Sequence, residues 1–391
     1  MRIAQAAAKL LEQNILPFWM ALRDDEYGGF YGYMDYDLQL DKKAEKGCIL
    51  NSRILWFFST AARVTGRQDL ADYARHAYDF LTQHCLDREN GGVYWSVTYD
   101  GKPLDTTKHT YNQAFAIYAL SAYYRLTGDA GALALATGLF KTIEQNCTDA
   151  GGYLEAFTRT WMPESNEKLS ENGVMATRTM NTLLHVFEGY AGLYEADKDP
   201  AVGKALRRIL EIYADKIYSP ALHRQLVFFD HEYNSLIDLY SYGHDIESSW
   251  LIDWGTRLLG DEALTAKIAA IDSDLARHVF AAAYYNQSIA NECERGKVDH
   301  TRVWWVQAEA VLGFVNEYEK TGEQRYADAA ADVYHFILDK MVDTRPGSEW
   351  FWQTDEYGTP AHKPIVEPWK CPYHNGRMCM ELMRRNPDVN V

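Results

Sequence analysis

The sequence predicts an all-α fold: an (α/α)6 barrel of six inner and six outer helices, with long glycine-aromatic loops gathered at one end. Three observations predict it: a short turn that recurs at a fixed period, long loops of a second kind between the repeats, and one unpaired helix at each end of the chain. The turns are RVTGRQDL, RLTGDAGAL, LLGDEAL and KTGEQRY, with glycines Gly66, Gly128, Gly260 and Gly322. Successive glycines stand 62, 132 and 62 residues apart, so a fifth turn is due in the middle, and EADKDPAV supplies it with Lys198 near the glycine position. A repeat of that length built from two amphipathic helices is a helical-hairpin array.

The elements follow in order. An amphipathic helix over about residues 2 to 22 carries Lys9, Glu12 and Gln13 at helical spacing among apolar residues. Five helix pairs come next, each joined internally by one of the short turns. The returns between pairs are longer and carry EYGGFYGY at Gly28, ENGGVYW at Gly91 and DAGGYLEAF at Gly151. Glycine there supplies positive φ for tight turns or small hairpins. A last helix over about 374 to 385 has no partner of its own. Paired with the first, it would complete a sixth repeat and close the ring, whereas an open solenoid would leave both unpaired. No Pro- or Ser-rich linker interrupts the chain, so one catalytic domain over residues 1–391 is expected.

Composition narrows the function. A formal charge of -16 offers no basic face for nucleic acid or anionic lipid. Six cysteines without a CxxC pair predict reduced thiols and a cytoplasmic setting. No apolar run reaches the roughly 20 residues that a membrane span needs, and the first helix lacks the unbroken core of a signal peptide. The 14% aromatic content suits either a sugar- or apolar-binding cleft or ordinary core packing.

If each turn ends an inner helix, equal steps back from it reach equivalent positions. Thirteen residues back lie Arg53, Phe115, His185, Glu247 and Glu309, and one helical turn earlier lie Tyr111, Asn112, Asn181, His244 and Trp305. Ionisable groups recurring on the face that should be apolar predict a polar pocket on the barrel axis, open at the long-loop end. The alternative is a structural network of Arg–Glu and His–Glu pairs. Near the C-terminus, WKCPYHNGRMC adds His374 between Cys371 and Cys379. That spacing is a weak metal pattern, and no HxxxH, CxxC, phosphate loop or GxSxG accompanies it, so neither metal nor cofactor is expected. Two carboxylates would suit a glycosidase, but that reading leaves the histidines idle. Histidine both takes and gives a proton near neutrality, which suits enolisation next to a carbonyl.

At these residues the chain resembles a known family. NSRILWFFS, HTYNQAFAIYAL, NTLLHVFEGY, SYGHDIESSWL, TRVWWVQAEAV and PWKCPYHNGRM resemble, in order and nearly end to end, motifs of the N-acylglucosamine 2-epimerase family. The resemblance implies inversion of C2 in the reducing-end glucose of β-1,4-linked disaccharides such as cellobiose and lactose, through a cis-enediolate and without cofactor. Family members of other specificity act on N-acylglucosamine or interconvert mannose with its ketose. The resemblance further implies that His244 and His374 exchange the proton, that Arg53 stabilises the enediolate oxygen, and that Glu247 and Glu309 orient the imidazoles. Tyr111, Asn181 and His185 would contact the reacting sugar, His185 helping to open its ring. Trp305 and Trp369 would stack on the sugars, and Phe115 and Trp250 would complete the substrate wall. A monomer or weak homodimer is expected, with an oligosaccharide as its only partner.

Overall fold

The computed structural model describes residues 1–170 and 172–391. Among them, twelve helices alternate between two concentric rings. The outer ring holds α1 (3–21), α3 (69–85), α5 (Ala130–Asn146), α7 (200–217), α9 (Glu262–Ala283) and α11 (324–341). The inner ring holds α2 (Cys48–Thr65), α4 (Thr110–Thr127), α6 (Met180–Asp197), α8 (Tyr242–Arg257), α10 (Trp304–Thr321) and α12 (Tyr373–Arg385). Each inner helix packs on the next, and α12 packs on both α10 and α2, so the ring closes. The unpaired end helices complete each other, α1 lying along α12. Their flanks are joined by the Met1 ammonium donating to the Val391 carbonyl at 2.7 Å and the Val391 N–H donating back at 2.8 Å.

The predicted turns end the inner helices as expected. Gly66, Gly128 and Gly322 adopt φ of 72°, 74° and 71°, and each N–H returns to a carbonyl four residues back. Lys198 takes the same place at φ 59°, so a non-glycine residue accepts the left-handed conformation that closes α6. α8 ends three residues short of Gly260, and the intervening residues form a turn.

Inner helices buried on nearly all sides must pack closely. At Gly189 of α6 a Cβ would lie 2.6 Å from the Ala114 carbonyl of α4, so the absence of a side chain lets these two helices approach. Four outer helices share a device that periodicity did not predict: α1, α3, α7 and α11 widen into a π-turn at Leu11–Ile15, Leu81–Cys85, Tyr213–Ile217 and Ile337–Met341.

The long loops fold into small antiparallel strands, as in the sheet in which Leu239–Ser241 pairs with Glu292–Glu294 and that strand with Lys297–Asp299. Ion pairs, buried at Lys46–Asp24, Lys108–Asp87 and Lys370–Glu349 and half-buried at Arg178–Asp149, pin several of these loops to the start of the next inner helix. Lys46 meets Asp24 at 2.6 Å, Lys108 meets Asp87 at 3.1 Å, Arg178 meets Asp149 at 2.6 Å and Lys370 meets Glu349 at 2.5 Å. Asp24, Asp87 and Asp149 also accept N–H groups from the glycine turns that follow them, which offsets part of the cost of burying these charges. All six cysteines are free, as expected. Among the described residues no helix is long and apolar enough to cross a membrane.

Candidate active site

The inner helices aim their N-terminal turns at the long-loop end, and there they enclose a cavity of about 350 Å³. Its wall contains Arg53, Tyr111, Asn181, His185, His244, Glu247, Trp305, Trp369 and His374, drawn from all six inner helices and, for Trp369, from the loop that enters the sixth. Several occupy the second or sixth position of their helix, one turn apart on one face, which is why counting from the turns found them.

Two imidazoles pack against Trp305, with ring centroids 4.8 Å away for His244 and 5.4 Å for His374. Trp305 can lie across the start of α8 because Gly243 has no side chain; a Cβ there would come within 2.6 Å of the indole. His374 Nδ1 contacts Glu309 Oε1 at 2.7 Å. His244 Nδ1 contacts the Ser241 hydroxyl at 2.7 Å. Ser241 is the N-cap residue of α8, yet its hydroxyl makes no capping bond and is given to the histidine. In both rings Nε2 is the nitrogen left for the cavity. Burial, followed by repulsion from His185, depresses His244 to about 3. Burial and then the Arg377 and Arg53 charges hold His374 well below the ordinary histidine range. Both rings are therefore neutral bases at neutral pH.

Arg53 is 2% exposed, and among the described residues no carboxylate pairs with it. Its guanidinium donates to Tyr111 Oη at 2.7 Å, reaches Cys371 Sγ at 3.8 Å and lies over the Phe115 ring at 4.2 Å, while its Nε has no protein partner. Glu247 Oε2 and Asn181 Oδ1 are likewise buried without a partner. A positive charge and two polar acceptors thus converge on the cavity with hydrogen-bonding capacity to spare.

Beneath the histidines lies a group that sequence reasoning missed. Arg377 donates to Glu188 at 2.6 Å and to Glu309 at 2.7 Å, and also to Glu247 and to the Tyr373 hydroxyl. Glu188 in turn contacts His185 Nδ1 at 2.9 Å. One buried guanidinium thereby braces both histidine-carboxylate pairs, His374–Glu309 and His185–Glu188. Burial opposes ionisation of Glu188, but Arg377 and His185 outweigh it and hold its carboxyl low. Glu247 is pushed up to about 7 by burial and then by the nearby Glu309. The signal was present in the sequence, since Glu188 follows His185 by three residues and Arg377 follows His374 by three.

Three expectations change. Glu247 was expected to orient an imidazole, but its nearest one, His374 Nδ1, is 3.9 Å away, and the partner of His244 is a hydroxyl rather than a carboxylate. Phe115 is buried behind Arg53 and His185 rather than on the cavity wall. Trp250 also lies behind the wall, where its indole N–H donates to Glu309 Oε2 at 2.9 Å. The loops supply wall residues that the helix count could not reach, among them Trp352 and Lys363, whose ammonium lies 3.8 Å over the Trp352 ring. Ligand atoms of Glu247, Glu309 and His374 lie within 4.8 Å of one another, a spacing a metal could use. The Arg377 guanidinium already bonds both carboxylates, so a metal there would have to displace a buried cation.

The sequence profile of the family described as N-acylglucosamine 2-epimerase (GlcNAc 2-epimerase) matches residues 17–376. A cellobiose 2-epimerase of Eubacterium cellulosolvens is 54% identical over 97% of this chain and 98% of its own. The crystal structure of a sugar epimerase from a ruminal bacterium superposes with a TM-score of 0.98 at 48% identity, covering 99% of this chain and 100% of that one. The cellobiose 2-epimerase of Bacillus thermoamylovorans B4167 gives a TM-score of 0.95 at 43% identity, over 98% and 99%.

Proposed function

The chain belongs to the N-acylglucosamine 2-epimerase family and is a carbohydrate epimerase of the isomerase class, and we propose that it is a cellobiose 2-epimerase. It inverts C2 of the reducing-end glucose in β-1,4-linked disaccharides, converting cellobiose to glucosylmannose and lactose to epilactose. The observation that carries this reading is the pair of neutral imidazoles, His244 and His374, both packed against Trp305 in one cavity with an Arg53 that lacks a carboxylate.

The sugar enters with its ring closed, and His185, braced by Glu188, assists its opening. In the open chain C2 carries a weakly acidic hydrogen next to the C1 aldehyde. The Nε2 of one histidine removes that proton, and negative charge develops on the C1 oxygen as the cis-enediolate forms. Arg53 and the Tyr111 hydroxyl, 2.7 Å apart, stabilise that oxygen where the charge appears. After rotation about C2–C3 the second histidine returns a proton to the other face, and in the reverse direction the two exchange roles. Glu309 holds the N–H of His374 and stabilises the imidazolium it becomes, as a carboxylate does for a triad histidine. Asn181 and Glu247 Oε2 accept sugar hydroxyls, and Trp305 and Trp369 stack on the apolar faces of the rings. One catalytic domain over residues 1–391 performs these steps.

A glycosidase on the same barrel is disfavoured by one observation. Glu247 and Glu309 both accept from the same Arg377 nitrogen, which gathers them on one side instead of across a glycosidic bond. Incubation with cellobiose tests the proposal: glucosylmannose should form without free glucose, and in deuterated water the product should carry deuterium at C2. Release of glucose, or conversion of N-acylglucosamine in preference to cellobiose, would overturn it.

A further inference from the structure

Among the equivalent inner-helix positions Arg53, Phe115, His185, Glu247 and Glu309, Phe115 alone carries no ionisable group. It is buried behind Arg53, with the guanidinium carbon 4.2 Å from its ring centroid. The same guanidinium lies 4.9 Å from the centroid of Tyr373 and 5.8 Å from that of Tyr111. All three rings are within the roughly 6 Å reach of a cation–π contact. They also fix one another, Phe115 standing 5.0 Å from Tyr111 and 5.1 Å from Tyr373 between centroids. Cys371 completes the enclosure, its sulfur 3.8 Å from the guanidinium. Burial pushes that thiol up against the pull of Arg53, so it stays neutral near neutral pH.

Arg377 shows the other way to bury a guanidinium. It too lies over the Tyr373 ring, at 4.3 Å, but its nitrogens also bond Glu188, Glu247 and Glu309, which offset its charge where it stands. Arg53 has ring faces, a phenol and a thiol, and among the described residues no carboxylate. The physical difference is one of range. A carboxylate beside a guanidinium cancels most of its field at a distance, whereas the quadrupole of a ring attracts the cation at contact and fades steeply beyond it. A cation held by rings keeps its charge for what enters the cavity. Glu247, on the same cavity wall with Oε2 unpartnered, is a group that a loosened Arg53 would meet instead.

We propose that Phe115 and Tyr373, together with the neutral Cys371 thiol, are positioning residues for epimerisation: they hold Arg53 in place without neutralising it, so that its charge is available to the oxygen that turns negative. This role rests on the assignment of Arg53 to the enediolate oxygen, and the experiment separates the two.

Steady-state epimerisation of cellobiose by the full-length protein is the readout. Arg53→Met should lower kcat by about 10²-fold or more, as loss of an oxyanion donor does. Turnover near the unsubstituted level would overturn the assignment of Arg53, and the positioning role with it. Replacing Phe115 with mono-, di- and trifluorophenylalanine keeps the shape of the ring while draining its face of electron density. Here kcat should fall roughly two- to threefold for each fluorine, with KM and the thermal midpoint nearly unchanged. A flat series beside an inactive Arg53→Met would overturn the proposal and leave the assignment standing. Cys371→Asn and Cys371→Asp have nearly the same shape and differ by a charge. Turnover in Cys371→Asp should be lower than in Cys371→Asn by about tenfold or more, because a carboxylate then compensates Arg53. Equal rates in two folded variants would overturn the proposal, and should Cys371→Asp not fold, the fluorine series decides.

Discussion

The two imidazoles beside Trp305 are supported in opposite ways. His374 rests on a charged scaffold: Glu309 contacts its Nδ1 at 2.7 Å, Arg377 binds Glu309, and the same guanidinium reaches Glu188 and Glu247. His244 rests on a single neutral hydroxyl, that of Ser241. Burial lowers both rings, so each starts as a neutral base. Once protonated they differ: the His374 imidazolium meets an adjacent carboxylate, whereas the His244 imidazolium meets only a dipole. A reversible epimerase needs two bases but not two identical ones, and this molecule places its fixed charge under one of them.

Removing either ring tests the pair most directly. His374→Ala and His244→Ala should each lower kcat by about 10²- to 10⁴-fold, with circular dichroism and thermal midpoint close to the unsubstituted protein. Turnover near the unsubstituted level in either variant would remove that histidine from the reaction. The scaffold comes next. Arg377→Met leaves Glu188, Glu247 and Glu309 without their shared cation, and breaking a buried ionic group in this way costs about 3–5 kcal/mol. Denaturant unfolding should show that loss, and Arg377→Lys should recover part of it. If Arg377→Met were as stable as the parent, the network would be no brace.

Glu309→Gln probes the charged side without emptying it. A hydrogen bond to a charged partner is worth about 1.5–3 kcal/mol, so kcat should fall roughly 10- to 100-fold. The pH profile should move as well. A base with a depressed pKa is active above that value and lost as pH falls through it, so the acid limb of kcat/KM should lie below the ordinary histidine value of about 6.5. Deleting the Glu309 anion disfavours the imidazolium further and should shift the limb of His374 to still lower pH. An unmoved limb would mean that Glu309 does not tune this ring.

How much of this could be read from the chain follows from what is local and what is not. The turns at Gly66, Gly128 and Gly322 and the Lys198 substitute are local, and they gave the helix count and the depth at which Arg53, His185 and Glu247 face the axis. Closure was legible because α1 and α12 each lacked a partner in sequence. Partner identity was not legible. Glu247 and Glu309 occupy equivalent positions in neighbouring repeats, yet only one touches an imidazole, because a repeat position sets a direction and not which neighbour lies there. Trp250 lies one layer behind the wall, and Phe115, although it shares the repeat position of Arg53, His185 and Glu247, is covered by the Arg53 and His185 side chains. Trp352 and Lys363 belong to a loop whose path only tertiary packing determines.

Ser241→Ala is the smallest and most discriminating test of the asymmetry. The lost bond is between neutral groups, worth about 0.5–1.5 kcal/mol, so kcat should fall by only about two- to tenfold. Stability should hardly change, because the Ser241 hydroxyl does not cap α8 and its removal leaves no backbone N–H newly unsatisfied. The acid limb should stay where it is, since no charge has been removed from beside His244. A loss as large as that of Glu309→Gln, or a shifted limb, would show that Ser241 acts as more than a neutral anchor and that the two sides are more alike than their partners imply.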